Sequence, residues 1–108
     1  MDKRATLLQI LWLCQQVIGL QKKLLTEKMV REVCADEGLT TDLINIVVAV
    51  IWAESGMNPN AKNVNKNGTT DWGLCQFNDY WYRDKISPET ALNHPEVAVN
   101  IMCQAWVY

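Results

Sequence analysis

Two carboxylate residues near the middle of the 108-residue chain have the types and surroundings that acid catalysis needs. Glu54 follows a largely apolar run, INIVVAVIWA, that carries no charge. A carboxyl group at the end of such a run is expected to lie against hydrocarbon and Trp52, which favours its protonated form and suits a general acid. Asp71 comes seventeen positions later, after the polar stretch NGTT, and is expected to stay ionised. An acid that protonates a leaving oxygen, paired with an anion that faces a developing oxocarbenium ion, cleaves glycosidic bonds.

The stretch around this pair resembles the lysozyme superfamily in two motifs. Glu54-Ser55-Gly56 with Pro59 and Ala61 is similar to the E-S-G-x-x-P-x-A opening of the soluble lytic transglycosylases. Residues 67–78, NGTTDWGLCQFN, resemble the N/D-G-S-T-D-Y-G-I-x-Q-I-N hairpin of c-type lysozymes, and the spacing from the first motif matches that family. The resemblance implies an α+β, mostly helical, lysozyme-like fold with a small antiparallel β-hairpin beside the cleft. We expect residues 1–108 to form a single domain of this kind.

The resemblance implies an enzyme that cleaves peptidoglycan, or related chito-oligosaccharides, without a cofactor. In a muramidase of this type, Glu54 would be the general acid and Asp71 the nucleophile or stabiliser, acting on the β-1,4 bond between N-acetylmuramic acid (MurNAc) and N-acetylglucosamine (GlcNAc). A lytic transglycosylase is the alternative, in which Glu54 acts alone and the product is 1,6-anhydroMurNAc. The second alternative is an inactive wall-binding or structural module of a phage tail or secretion apparatus.

Several polar and aromatic residues of this stretch are expected to bind the sugar. Gln76 and Asn78 alternate with buried-type residues, so they should share one face of a strand. The resemblance implies that these two line the cleft and that Asn63 or Asn65 binds Asp71 or sugar hydroxyls. Three aromatic residues either stack on sugar rings or pack in the core: Trp72, Trp81 and Tyr82. The candidate substrate-binding residues are Ser55, Asn63, Asn65, Gln76, Asn78 and Trp81.

Composition argues against other classes of site. A net charge of −2 and a pI of about 5.3 make nucleic-acid binding improbable. The four cysteines have no zinc spacing, the chain has one histidine, and the asparagine-rich segment 63–74 lacks the acidic residue that a calcium loop needs at its twelfth position. No metal is therefore expected. Cys34, Cys75 and Cys103 are interpreted as small buried hydrophobes, with one or two disulfide bridges among these and Cys14 left open.

The predicted elements begin with an amphipathic helix over residues 1–25, whose apolar face either packs on the domain or forms another interface. Thr26 is interpreted as the N-cap of a second helix that Gly38 ends. A third helix is capped by Thr40 or Thr41 and is apolar on nearly every side from Leu43 to Ala53, so it is predicted to be the buried central helix.

A loop over residues 57–68 and one or two short strands over 69–77 should follow, with Gly68 at the turn and Gly73 where a backbone or ligand comes close. Ser87-Pro88-Glu89 is predicted to open a short helix, and His94-Pro95-Glu96 the last helix, each with proline at the first position.

The termini bear on localisation. The N-terminal apolar run follows a basic start, but it is interrupted by Gln9 and too short to span a bilayer, so no stable membrane insertion is expected. A weak export signal stays open as an alternative. We expect a monomer that acts at the cell wall, in a periplasmic, extracellular or virion-associated setting. The chain ends without the Ala-Tyr-Asn segment of transglycosylases, which leaves a truncated C-terminal end open.

Overall fold

The computed structural model describes residues 3–107, with side chains described as far as residue 105. The expectation of a truncated end at Tyr108 lies outside the described residues. Helices dominate and a small antiparallel sheet lies between them, so the predicted mostly helical α+β fold is confirmed. The elements are α1 (Lys3–Asp36), α2 (Thr41–Ser55), β1 (Lys62–Val64), β2 (Thr70–Trp72), β3 (Phe77–Asn78), α3 (Pro88–Asn93) and α4 (Pro95–Val107).

The first helix is continuous, so the predicted break at Thr26 is wrong. The Thr26 hydroxyl donates to the carbonyl of Lys22 at 3.0 Å, one turn earlier, and is satisfied inside the helix instead of capping a new one. The helix ends as predicted at Gly38, where φ is +85° and the next residue, Leu39, donates its N–H to the carbonyl of Cys34.

The two halves of α1 have different surroundings. Every side chain from Leu7 to Leu25 is exposed, whereas Val30 and Cys34 are fully buried. The apolar residues of the first half therefore do not pack in the core of the domain. Within residues 3–107, no helix is both long enough and apolar enough to cross a membrane.

The second helix is buried on one face only, which corrects the prediction of a helix enclosed on all sides. Val47, Val48 and Ile51 are buried, while Ile46 is 49% exposed. A chain this short has too few elements to cover every face of a helix. The buried face packs with the second half of α1, and Thr40 caps the helix by accepting a hydrogen bond from the N–H of Leu43 at 3.3 Å.

The sheet has three antiparallel strands in the order β1-β2-β3, so the predicted hairpin carries one additional strand. That strand, β1, lies inside the segment predicted to be a loop. Gly68, with φ +88°, forms the turn into β2. Gly73, with φ +76°, lies so close to α3 that a Cβ there would be 2.5 Å from the carbonyl oxygen of Ala91. The close backbone approach predicted at Gly73 is thereby confirmed, and it seats the sheet against α3.

The last two helices begin as predicted. Pro88 opens α3, and the Ser87 hydroxyl caps it by accepting a hydrogen bond from the N–H of Thr90 at 3.1 Å. Pro95 opens α4, which packs against both α1 and α3. The core lies where these helices meet the sheet and includes Val30, Cys34, Val47, Ile51, Met57, Leu74, Phe77, Val99 and Cys103.

Candidate active site

The sheet aligns three of the predicted site residues in one row. Asn63 of β1 lies opposite Asp71 of β2, and Asp71 lies opposite Asn78 of β3. Directly opposed residues in antiparallel strands point to the same face of a sheet. A carboxylate flanked by two amides therefore lies on one face, and the neighbouring row places Trp72 and buried Phe77 on the other.

Asp71 is held by Asn78. The Asn78 side-chain N–H₂ donates to Asp71 Oδ1 at 3.0 Å and to Thr69 Oγ1 at 2.9 Å. Its Oδ1 accepts from the backbone N–H groups of Tyr80 at 3.0 Å and Trp81 at 3.2 Å. Each of these four contacts uses a different hydrogen or lone pair, so the amide is fully engaged. Asn78 thus fixes both the carboxylate and the start of the aromatic turn.

Asn65 is connected to the Asp71 carboxylate only through other side chains, and not by the direct hydrogen bond that was one of the expectations. Its side-chain amide donates to Thr69 Oγ1 at 3.1 Å, and the Thr69 hydroxyl in turn donates to Asn67 Oδ1 at 2.6 Å. Among the described residues, no hydrogen bond joins Asn65 directly to Asp71. Asn65 and Asn78 meet at the Thr69 hydroxyl, so the β1–β2 turn reaches Asp71 through that hydroxyl and Asn78.

Gln76 ties three segments together. Its Nε2 donates to the carbonyls of Gly73 at 2.9 Å and Ala61 at 3.3 Å, and its Oε1 accepts from Asn63 Nδ2 at 2.6 Å. The backbone of Gln76 is left-handed, with φ +55°, a conformation that costs energy in any residue except glycine. The three hydrogen bonds explain how that conformation is maintained.

Glu54 lies at the open end of α2, one residue before its last residue. Its side chain is exposed, and its carboxylate makes no hydrogen bond or ion pair with any other described residue. The expected enclosure by hydrocarbon and Trp52 is therefore wrong. The Trp52 indole N–H instead donates to Glu27 Oε1 at 2.8 Å, which directs the ring toward α1. Glu54 is free to meet a substrate.

Ser55 supports the turn that follows Glu54. Its hydroxyl donates to the carbonyl of Ile51 at 3.2 Å and accepts from the N–H of Asn58 at 3.3 Å. Gly56 and Met57 then both adopt left-handed backbone conformations, and the Met57 side chain is buried. The Ser55 hydrogen bonds before the turn and the burial of Met57 after it therefore fix the direction in which the chain leaves α2.

Trp81 is the aromatic residue among the predicted site residues, and its side chain is widely exposed. It is 75% exposed and packs edge-on against Tyr80, with 5.2 Å between the ring centroids. The guanidinium of Arg83 lies over the Tyr80 ring at 4.6 Å. An open indole face beside a fixed polar row could stack on a sugar ring.

Comparison with known proteins identifies the family. The family model described as "Lysozyme like domain" matches residues 31–105. The chain belongs to this family. Over 60 residues it is 35% identical to Protein IpgF of Shigella flexneri and equally to Protein IpgF of Shigella sonnei, and these alignments cover 52% of the chain but 40% of each relative. A crystal structure of a lysozyme from Litopenaeus vannamei has the same fold, with a TM-score of 0.59, 23% identity, and 76% and 67% of the two chains covered.

Two residues of this lysozyme-like domain acquire roles that the sequence did not indicate. Asp79 accepts hydrogen bonds from the backbone N–H of Thr70 at 3.2 Å and from the Trp72 indole at 3.4 Å, so it links the end of β3 to β2. The Thr69 hydroxyl accepts hydrogen bonds from the side-chain amides of Asn65 and Asn78. Hydrogen-bonding residues at strand ends are frequent, and only the strand register reveals which of them meet.

A groove of about 590 Å³ runs between the sheet and α4, with Gln76 at its edge. Its other lining residues include Tyr82, Lys85 and Met102, and neither Glu54 nor Asp71 lies among them. The groove is therefore adjacent to the candidate site and separate from the two carboxylates. Within the described residues, no three histidine, cysteine or acidic side chains lie close enough together to hold a metal ion.

Proposed function

We propose that this lysozyme-like domain hydrolyses the β-1,4 bond between MurNAc and GlcNAc in peptidoglycan at the cell wall. The observation that carries the proposal is the contrast between two carboxylates. Glu54 is exposed and has no protein partner among the described residues, whereas Asp71 is half-buried and held by Asn78. One free acid and one fixed anion is the division of roles that glycoside cleavage requires.

In the proposed reaction, Glu54 protonates the glycosidic oxygen of the leaving sugar. A bound sugar chain would lie over this exposed carboxyl group, with the glycosidic oxygen within hydrogen-bonding distance of it. Asp71 faces the oxocarbenium ion with the oxygen that Asn78 does not engage. Water then completes the hydrolysis with retention, for which the two carboxyl groups must close to about 5–5.5 Å around the sugar.

The other candidate residues divide into two groups in this proposal. Three side chains use their hydrogen-bonding groups in contacts with other protein groups, so we assign them the role of positioning the site: Asn78, Gln76 and Ser55. Asn63 is exposed with one of its amide hydrogens directed to Gln76, and the Trp81 ring is largely exposed, so these two are the stronger candidates for sugar contact. Asn65 supports the turn that carries Thr69.

A lytic transglycosylase is the alternative that a specific observation favours. The Glu54 carboxylate makes no hydrogen bond or ion pair with Asp71 or any other described residue, and a single group acting as acid and base suffices when the MurNAc 6-hydroxyl replaces water. The Glu54-Ser55-Gly56 motif also resembles that family. The two reactions differ by one water molecule in the product, and an inactive wall-binding module would give no product at all.

The test of the proposal is product analysis by mass spectrometry after incubation of the purified full chain with peptidoglycan. Glu54→Gln keeps the side-chain shape and removes the proton donor, so the rate should fall by on the order of 10²–10⁴-fold. Glu89→Gln, at an exposed carboxylate in the first turn of α3, is the matched control and should keep the wild-type rate. Wild-type activity in Glu54→Gln would contradict the assignment.

A second variant separates the two reactions. Asp71→Asn keeps a group of the same shape that can still face Asn78, and it removes the anion. If the chain is a hydrolase, this variant should lose most of its hydrolytic activity while binding the sugar nearly as well as the wild type. If the Asp71→Asn variant stays active and releases anhydro-sugars, the hydrolase proposal fails and the transglycosylase reaction takes its place. No product from the wild type would leave only the inactive module.

A further inference from the structure

Two cysteine side chains from distant parts of the chain meet in the core. Cys34 of α1 and Cys103 of α4 are both fully buried, and their Sγ atoms are 3.2 Å apart. A disulfide bond is about 2.0 Å long, so the sulfurs would need to approach by about 1.2 Å. The two helices already pack against each other at this point, so small side-chain rotations could bring the sulfurs together without moving either helix.

We propose that Cys34 and Cys103 form an intramolecular disulfide bond that links α1 to α4. In this reaction the two thiols lose their protons, one S–S bond forms, and two electrons pass to an oxidant of the disulfide class, whose own S–S bond breaks to give two thiols. A thiol–disulfide oxidoreductase or glutathione disulfide would serve. That the bond is present in the cell rests on the proposed action at the wall, because disulfides persist outside the reducing cytosol.

The geometry selects this pair from the four cysteines. Cys14 is exposed on the first half of α1, far along the helix from the core residues that begin at Val30. Cys75 is buried, but its sulfur makes no sulfur–sulfur contact of the kind that joins Cys34 to Cys103 within the described residues. Both should remain thiols when the bond forms.

Burial also determines when the bond can form. It raises the pKa of the Cys34 thiol, and together with the contact to Cys34 it raises the pKa of Cys103 to about 12. Thiol–disulfide exchange requires a thiolate that can reach the oxidant. In the folded, reduced protein both conditions fail. The bond should therefore form during folding, when α1 and α4 have come together but the core around the two sulfurs is still open to the oxidant, and slowly if oxidant is added to the native protein.

The first experiment maps the bond in the full chain with Cys14→Ser, which prevents linkage between molecules through the exposed thiol. The protein is reduced, unfolded and refolded in a mixture of reduced and oxidised glutathione, then alkylated and digested with trypsin. The three remaining cysteines fall on separate tryptic peptides, residues 32–62, 67–83 and 86–108. We expect a linked pair of the first and third peptides, with Cys75 alkylated. Three alkylated cysteines, or a link to peptide 67–83, would overturn the proposal.

The second experiment compares the thermal stability of protein refolded in oxidised glutathione with that of protein refolded and kept in a reductant. A disulfide across so long a loop should raise the Tm of the oxidised protein by roughly 10 °C. Cys75→Ala, the matched buried control, should keep this reductant-dependent difference, and Cys34→Ala should abolish it. Equal Tm values for the wild type in both conditions would contradict the bond. If Cys34→Ala does not fold, the peptide map of the parent chain still decides, and neither readout depends on peptidoglycan cleavage.

Discussion

The side-chain amide of Asn78 donates to Asp71 Oδ1 at 3.0 Å, and its carbonyl oxygen accepts from the backbone N–H groups of Tyr80 and Trp81. The candidate anion and the exposed aromatic turn are therefore connected through one side chain. Any change at Asn78 should affect the orientation of the carboxylate and the position of the Trp81 ring together.

Asn78→Asp should impair cleavage more than it impairs folding. The substitution keeps the acceptor for Tyr80 but replaces the donor with a second negative charge beside Asp71, and like charges at this distance repel. We expect the initial rate on peptidoglycan to fall by roughly 10²-fold or more, with the helical circular dichroism spectrum retained. Asn60→Asp makes the same chemical change at an exposed position outside the sheet and should be neutral. An unchanged rate in Asn78→Asp would show that the contact does not matter for activity.

Gly73→Ala should destabilise the domain more than Gly68→Ala. Both positions have positive φ, so each substitution places an alanine in a left-handed backbone conformation, which destabilises the fold by about 1–2 kcal/mol. Only Gly73 adds a collision, because its new Cβ would lie 2.5 Å from the carbonyl oxygen of Ala91, whereas nothing lies within 4 Å of a Cβ at Gly68. We expect a further loss of about 1–3 kcal/mol at Gly73, measured by urea unfolding. Equal losses at the two sites would mean that α3 moves away at little cost.

Glu27 should make the stability of the α1–α2 contact depend on pH. The hydrogen bond from the Trp52 indole, with a smaller effect of Arg31, holds the pKa of Glu27 below its ordinary value of 4.5. Because the pKa is lowered by folding, the ionised carboxylate stabilises the folded state above about pH 4.5, and this contribution is lost as the pH falls through the lowered pKa.

The measurement is the difference in Tm between the wild type and Glu27→Gln across that range. We expect a deficit of a few degrees near neutral pH that shrinks below about pH 4.5. Glu32→Gln, on the same helix, removes a carboxylate whose only described ion pair is an exposed contact with Lys28 at 3.9 Å. That control should show little effect at any pH, and a deficit in Glu27→Gln that is constant with pH would refute the role of its charge.

Local signals in the sequence predicted the parts of the fold that local chemistry determines. The caps at Thr40 and Ser87, the helix end at Gly38 and the turn at Gly68 all lie where the residue types indicated. Thr26 shows the limit of such signals. A threonine can cap a helix or bond to the preceding turn of the same helix, and only the continuous pattern of backbone hydrogen bonds distinguishes the two.

The candidate site was predictable as a set of residues and not as a set of contacts. The hairpin motif selected Asp71 and Asn78, and the asparagine-rich segment before it supplied Asn63. The register aligns the three. That Asn78, and not Asn65, binds Asp71 depends on strand pairing across the sheet, which sequence spacing does not encode. The exposure of Glu54 was missed for a related reason: an apolar run before a carboxylate does not specify which faces of its helix the small domain can cover.

The exposed half of α1 has a consequence for local unfolding. Backbone amides from Leu7 to Ile18 are protected mainly by the intrinsic stability of a solvated helix, which is marginal in water at this length. Amides around Val30 and Cys34 belong to the packed core and become accessible only when that core opens. Deuterium uptake should therefore be fast along the first half of the helix and slow along the second. On heating, helical signal should begin to decrease from the N-terminal end while the lysozyme-like domain is still folded.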